Sequence, residues 1–148
     1  MSTLSDREQI ETLKYRYVRA LDTKDWDAFG DTLTEDVTAG YGDRLTFSGR
    51  AAVLSFMTEN LGSDVITVHN VHHPELHVDG DSATGTWSLE DTVIAVPYKL
   101  LLRGAAIYTD RYRRCEGGAW RICATGYRRI YESTLSLDDL PSFTLTSR

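Results

Sequence analysis

The sequence is poor in cysteine, in basic residues and in long apolar runs, and each shortage excludes a class of protein. Its two cysteines, Cys115 and Cys123, are too few for a zinc motif or a disulfide framework. Two reduced thiols are expected, with a bridge across a hairpin as the alternative. Basic residues number 16 against 22 acidic ones, a net charge of −6, which argues against nucleic acid because phosphate binding needs surplus lysine and arginine.

No apolar run is long enough to cross a bilayer, so membrane insertion is not expected. The first six residues also lack the basic and apolar regions of a signal peptide, which predicts a cytoplasmic protein. The 148 residues, 41% hydrophobic and 26% charged, are typical of a single globular domain with a proper core. We predict that domain over residues 1–135 and a loosely ordered tail over 136–148, where Pro141 prevents a regular element.

Helices are predicted in the first part of the chain. A capping box begins the first helix, whose apolar residues recur at helical spacing: Ser5 and Glu8, then Ile10, Leu13, Tyr17 and Leu21. Tyr17 is either a core aromatic or a phenol lining a pocket. Asp22 closes this helix, where the macrodipole favours a cation, so it either caps the second helix, which opens over 23–27, or has another role. A third helix is predicted to begin at 48–50.

Strands follow the helices. Two short strands, over 37–41 and 45–47, flank a tight turn, and four longer ones are predicted over 65–78, 83–96, 103–114 and 119–131. Helices followed by long antiparallel strands indicate an α+β fold with the helices on one face of a curved sheet.

Three of the four histidines lie within residues 69–73 of the first long strand. Strand alternation places His69 and His73 on one face and His72 on the other, although Pro74 leaves the facing of His73 and His77 open. Because alternation divides the histidines between two faces, a metal site built from them is not favoured.

Polar residues also occur at inward-facing positions of later strands. Asp91 shares a face with Trp87, so it is either in water beyond the strand end or meets a cation, a histidine or a pocket. Tyr108 and Tyr112 flank Asp110, and the three either line a polar cavity or form an exposed sheet surface. On the last strand Trp120, Ile122 and Ala124 are predicted to face inward.

From Leu13 to Glu132 the chain resembles the SnoaL-like branch of the nuclear-transport-factor-2-like superfamily. The matching segments are 17–27 (YVRALDTKDWD), 33–37 (LTEDV), 48–50 (SGR), His69 with 74–76 (PEL), 78–85 (VDGDSATG), 108–112 (YTDRY), 120–122 (WRI) and 125–129 (TGYRR). The fold this implies is a cone, in which a strongly bent antiparallel sheet wraps around a long N-terminal helix, with the helices on its concave face. An apolar cavity would open at one end.

Within that group the resemblance is to lyases of the bile-acid 7α-dehydratase and scytalone dehydratase type, which use an Asp–His dyad. It implies His69 as the base, Asp22 as its orienting partner and Tyr17 as a hydrogen-bond donor. The resemblance also implies that Asp91 and Arg129 line the cavity. Trp87, Tyr108 and Tyr127 are predicted to bind substrate with them. Many relatives have histidine where this chain has Ala124.

The expected function is therefore a cofactor-independent dehydratase that removes a proton from a hydrophobic small molecule of polycyclic or alicyclic type. A polyketide cyclase or a ketosteroid-type isomerase would use the same base, and a non-catalytic binding domain is the alternative from another class. No metal is expected. The resemblance also implies a homodimer or homotrimer.

Overall fold

The helices occupy the first 60 residues of the chain. The computed structural model describes residues 3–148 and contains helices α1 (Asp6–Thr23), α2 (Trp26–Asp31) and α3 (Arg50–Asn60). Between α2 and α3 lie two strands, β1 (Leu33–Tyr41) and β2 (Leu45–Ser48). No helix within these residues is long and apolar enough to span a membrane.

Four long strands make up the second part of the chain. They are β3 (Val65–Asp79), β4 (Ser82–Ala95), β5 (Leu100–Arg114) and β6 (Trp120–Ser136). The six strands form one sheet in the order β2-β1-β6-β5-β4-β3, antiparallel except for the parallel pair β1 and β6. The α+β cone predicted from the sequence is confirmed, with β3 as one edge of the sheet.

The apolar stripe of α1 packs against the concave face of the sheet. The predicted capping box is present, since Ser5 Oγ accepts a hydrogen bond from the backbone N–H of Glu8 and Glu8 accepts one from the N–H of Ser5. The stripe joins inward residues of β1, β4, β5 and β6 in one apolar core. Asp25, not Asp22, caps α2, because the Asp25 carboxylate accepts from the N–H of Ala28. Asp22 therefore has another role.

Two register shifts between paired strands change which face of the sheet some side chains occupy, relative to simple alternation. The pairing of β3 with β4 shifts between His72 and Glu75, and His73 has a left-handed φ of 50°. As a result His73 is exposed rather than sharing the inward face of His69. On β6 the register shifts between Ile122 and Ala124. Ala124 lines the outer face beside Arg111, so its predicted inward facing was wrong.

The C-terminal end continues further as a strand than the sequence suggested. β6 ends at Ser136 rather than near Tyr131, and a single 3₁₀ turn follows at Leu137–Asp139. Residues 140–148 have no helix or strand, and the domain boundary at 135 stays a prediction. Cys115 and Cys123 are not bonded to each other.

Candidate active site

Asp22 lies in the last turn of α1, beside the free edge of β3. The helix stops at Lys24, whose backbone takes a left-handed conformation with φ of 59°. The Asp22 carboxylate accepts hydrogen bonds from Thr67 Oγ1 at 2.9 Å and from the backbone N–H of His69 at 2.8 Å. Because β3 is an edge strand, no further strand is present to bind that N–H. Asp22 therefore satisfies a backbone donor that the sheet leaves unpaired.

The same carboxylate holds the side chain of His69. Asp22 Oδ1 lies 2.6 Å from His69 Nδ1, the short distance of a charge-assisted hydrogen bond. With Nδ1 assigned as the donor, the neutral imidazole has its lone pair on Nε2. His69 Nε2 makes no hydrogen bond within residues 3–148, and 11% of the side-chain surface is exposed. The pair is thus an oriented base with one free ring nitrogen.

A groove of about 350 Å³ lies over this pair, between α1 and the edge of β3. Its lining residues are Tyr15, Val18, Arg19, Asp22, Thr23, His69, Asn70 and Val71. This volume falls within the range of small-molecule sites. A second cleft of about 370 Å³ lies between α1, α2 and the start of β6, lined in part by Arg16, Arg19 and Arg121. Because only the groove contains the aligned acid and base, we take it as the candidate site.

Asp91 is buried on the inward face of β4 and is paired with Arg129. The guanidinium reaches both carboxylate oxygens, with Nη1 2.5 Å from Oδ1 and Nη2 2.9 Å from Oδ2. The hydrogen bonds to Asp91 raise the pKa of Arg129 above its ordinary value. Asp91 is also directly opposite His69 in the pairing of β3 with β4. Of the alternatives for Asp91, burial beside a cation is the one observed, and the water-exposed alternative was wrong.

Tyr17 is fully buried on the core face of α1. Its hydroxyl lies 2.7 Å from the hydroxyl of Tyr41, and its ring packs against Phe29 and Tyr108. Burial raises the pKa of Tyr17 well above its ordinary value. The phenol therefore stays protonated, which suits a hydrogen-bond donor and excludes a base. Its predicted contact with a substrate stays a prediction.

The chain matches one protein family over most of its length. The family model for the SnoaL-like domain covers residues 2–125. The chain belongs to the SnoaL-like family.

Solved structures place this SnoaL-like chain among nuclear-transport-factor-2-like folds. A proposed scytalone dehydratase from Novosphingobium aromaticivorans is 17% identical, with a TM-score of 0.79 and 86% of each chain covered. A type 2 hexachlorocyclohexane dehydrochlorinase, LinA, is 20% identical, with a TM-score of 0.78 and 88% of each chain covered. A protein of unknown function from Mycobacterium tuberculosis is 25% identical, with a TM-score of 0.74, covering 95% of this chain and 78% of the other. At 17% and 20% identity, the likeness to the first two structures shows that they share the fold of this chain.

The other aromatic residues expected to bind substrate in this SnoaL-like chain differ in exposure. Trp87 is buried, and its indole N–H donates to Tyr112 Oη at 2.9 Å. Tyr108 is also buried, whereas Tyr127 is only half-buried and its ring lies 4.8 Å from the Arg129 guanidinium. Of the three, Tyr127 is therefore the one with surface available next to the Asp91–Arg129 pair.

Sequence reasoning missed a buried lysine in the core of this family member. Lys14 Nζ lies 2.8 Å from Asp110 Oδ2, and neither side chain has any exposed surface. The ammonium is poorly aligned for a hydrogen bond but lies 3.5 Å from the centre of the Tyr108 ring. Asp110 also accepts from the hydroxyls of Tyr112 at 2.8 Å and Thr125 at 2.7 Å. The Tyr108–Asp110–Tyr112 face thus lines neither a cavity nor an exposed surface, because it is closed by α1.

The remaining histidines lie apart from His69. The rings of His72 and His73 meet edge to face with centres 4.7 Å apart. His77 lies beyond the register shift of β3 and is exposed. Across residues 3–148, no group of three or more His, Cys, Asp or Glu side chains is arranged to hold a metal ion. The structure thus places His69 alone among the histidines beside a carboxylate in the groove.

Proposed function

We propose that the protein is a cofactor-independent lyase, a dehydratase that acts on an apolar cyclic small molecule. The observation that carries this proposal is the Asp22–His69 contact, which orients the imidazole and leaves Nε2 free at the groove. A side chain with a proton affinity suited to neutral pH, held by a carboxylate, is the arrangement that general-base catalysis needs. A binding domain does not require it.

The reaction begins at His69 Nε2, which takes a proton from a carbon next to a carbonyl group. The electron pair of that C–H bond forms a C=C double bond as the bond to a β-hydroxyl breaks. The proton on the imidazolium then passes to the departing oxygen, so that water leaves and His69 is neutral again. Asp22 stabilises the imidazolium in between. If the proton returned to a different carbon instead, the same base would catalyse an isomerisation.

Tyr17 and the Asp91–Arg129 pair have supporting roles in this proposal. In the Tyr17–Tyr41 contact only one O–H can be the donor, so the other keeps a proton for a developing enolate oxygen. This role requires the substrate to reach the buried phenols. Arg129 and the half-buried Tyr127 are not among the residues that line the groove, so their contact with the substrate likewise requires it to reach past His69. These steps need only side chains of this chain.

The family and its solved neighbours support elimination chemistry. Two neighbours with the same fold are named as a dehydratase and a dehydrochlorinase, and both names describe eliminations. This support concerns the kind of reaction and not the substrate, because the sequence identities are 17% and 20%. The oligomeric state, homodimer or homotrimer, is proposed on the resemblance alone.

The test is proton abstraction by the purified protein from a panel of apolar cyclic ketones and β-hydroxy ketones in D₂O. NMR would follow C–H exchange, and mass spectrometry would follow loss of water. For any compound that reacts, His69→Ala is expected to lower the rate by about 10²–10⁴-fold. Its fold should persist, because Asp22 keeps the hydrogen bonds from Thr67 and from the backbone of residue 69.

The matched control is His77→Ala, an exposed histidine of the same strand, which should react at the wild-type rate. An undiminished rate in His69→Ala would show that the proposed base is wrong. Tight binding of several panel members without exchange or loss of water would favour the non-catalytic alternative. Exchange without loss of water would favour an isomerase or cyclase over a dehydratase.

A further inference from the structure

Gly104 lies at a buried position of β5 where space, not backbone conformation, accounts for the missing side chain. Its φ is not in the left-handed region, so any residue could adopt the backbone. A Cβ there would lie 2.5 Å from Arg129 Nη1, 3.1 Å from Arg129 Cζ and 3.0 Å from the carbonyl oxygen of Tyr131. The Arg129 guanidinium therefore occupies the volume that a side chain at 104 would fill.

This position belongs to a row that crosses the sheet. His69 on β3 is paired with Asp91 on β4, and Asp91 is paired with Gly104 on β5. Arg129 starts on β6, on the far side of β5, and reaches Asp91 by passing over Gly104. Side chains directly opposite each other on antiparallel strands have Cβ atoms about 4.5–5.5 Å apart, so Asp91 and His69 are close neighbours.

We propose that Gly104 is a positioning residue for His69: it opens the path by which Arg129 neutralises Asp91. Without that path, Asp91 is a buried carboxylate without a counter-charge, at the position directly opposite His69 in the strand pairing. Its negative charge would then favour the protonated imidazole over the neutral base. This role of Gly104 rests on the proposed function, in which His69 is the base, but the test of the role does not measure catalysis.

The charged groups around His69 come from several elements. Asp22, with Arg19 and Tyr15 in the same groove, faces it from α1. Asp91 faces it from β4. From β6, Arg129 bonds to Asp91 and also lies 3.2 Å from Glu132. Arg129 is thus the cation that neutralises Asp91, the second carboxylate near His69.

The test is an NMR titration of the histidine ring protons, with the His69 signal assigned from its loss in His69→Ala. In Gly104→Ala and in Arg129→Gln, the titration midpoint of His69 is expected to rise by about one pH unit or more. Adding Asp91→Asn to either variant should return the midpoint to the wild-type value or below. Gly40→Ala is the matched control, because a Cβ there meets no atom within 4 Å, and it should leave the midpoint unchanged.

A stability cycle covers the case in which Gly104→Ala does not fold. In urea, Gly104→Ala should lower the free energy of unfolding by a large amount when Arg129 is present. The same change should cost much less in the Arg129→Gln background, because the guanidinium is absent there. Equal costs, or failure of the double variant to fold, would mean that the clash is with the Tyr131 backbone, and would overturn the role of Gly104. A wild-type midpoint in either Gly104→Ala or Arg129→Gln would overturn it as well.

Discussion

At the scale of single residues, Asp22 combines a structural and a chemical task. Its carboxylate binds the edge-strand N–H of His69 and the Thr67 hydroxyl, and these contacts fix it against the imidazole. A carboxylate at a helix C-terminus is unfavourable for the macrodipole. The three hydrogen bonds compensate for that position, which explains why an acid is placed there.

The Lys14–Asp110 pair is the second residue-scale feature, and it leads to a stability prediction. Both side chains are fully buried, so removal of one partner leaves an unpaired charge in the core. Lys14→Met is expected to lower the free energy of unfolding by about 3–5 kcal/mol. Lys14→Met combined with Asp110→Asn should be less destabilised than Lys14→Met alone. Urea unfolding measures both values.

The control for this pair is Lys99→Met, which breaks the exposed ion pair with Asp138. It should cost less than about 1 kcal/mol, because surface pairs contribute little. Additive losses for Lys14→Met and Asp110→Asn would mean that the two charges do not depend on each other in the core.

Lys14 was detectable in the sequence only in part. It lies four residues after Ile10 and three before Tyr17, so it is on the apolar stripe of α1. A lysine at such a position is usually expected to extend its ammonium into solvent. Only contact with β5 shows that Asp110 meets it, because that contact joins residues 96 positions apart in the chain.

At the scale of elements, strand alternation predicts facing correctly up to each bulge and fails beyond it. It correctly placed Trp87 and Asp91 on the core face of β4, which pairs regularly with β5. It failed at Ala124, which follows a register shift of β6. His73, whose facing Pro74 had left open, lies within the register shift of β3 and is exposed. A one-residue shift reverses the face of every later side chain, and the sequence marks such shifts weakly.

The N-terminus of α1 gives the prediction that belongs to this scale. Ser5→Ala removes the side-chain acceptor for the Glu8 N–H, which the serine hydroxyl binds at 3.3 Å. The expected loss is about 1 kcal/mol in the free energy of unfolding, measured in urea. Thr3→Ala, two residues before the cap and outside the helix, is the control and should be neutral. An equal loss in both variants would contradict a capping role for Ser5.

At the scale of the whole molecule, a cluster of buried phenols makes the folded protein less stable at alkaline pH. Burial raises the pKa values of Tyr17, Tyr41, Tyr108 and Tyr112 above the ordinary 10.0. The folded protein therefore keeps protons that the unfolded chain loses above that value. This contribution to stability is complete below pH about 10 and is lost as the pH rises above it. Burial lowers the pKa of Lys14, so the contribution of this residue to stability increases with pH instead. That increase ends near 10.5, the ordinary pKa of a lysine.

The free energy of unfolding is accordingly expected to fall between about pH 10 and pH 12. Tyrosinate absorbance of the buried rings should appear together with unfolding and not before it. Tyr108→Phe removes one buried phenol and should make the fall shallower, whereas Tyr98→Phe, at a side chain that is 79% exposed, should not. Ionisation of all the tyrosines near pH 10 in a protein that remains folded would contradict this account.

The order of elements was predictable from the sequence alone, because it depends on local patterns. The choice of His69 as candidate base came from a family resemblance carried by short motifs and stays a prediction. The capping box, the stripe of α1 and the alternation along β4 all involve residues that are neighbours in the chain. Contacts between distant segments were decided by tertiary structure: Asp22 with the edge of β3, Lys14 with Asp110, and Arg129 with Asp91 across Gly104. Each depends on the register and curvature of the sheet, which long-range packing and bulges set.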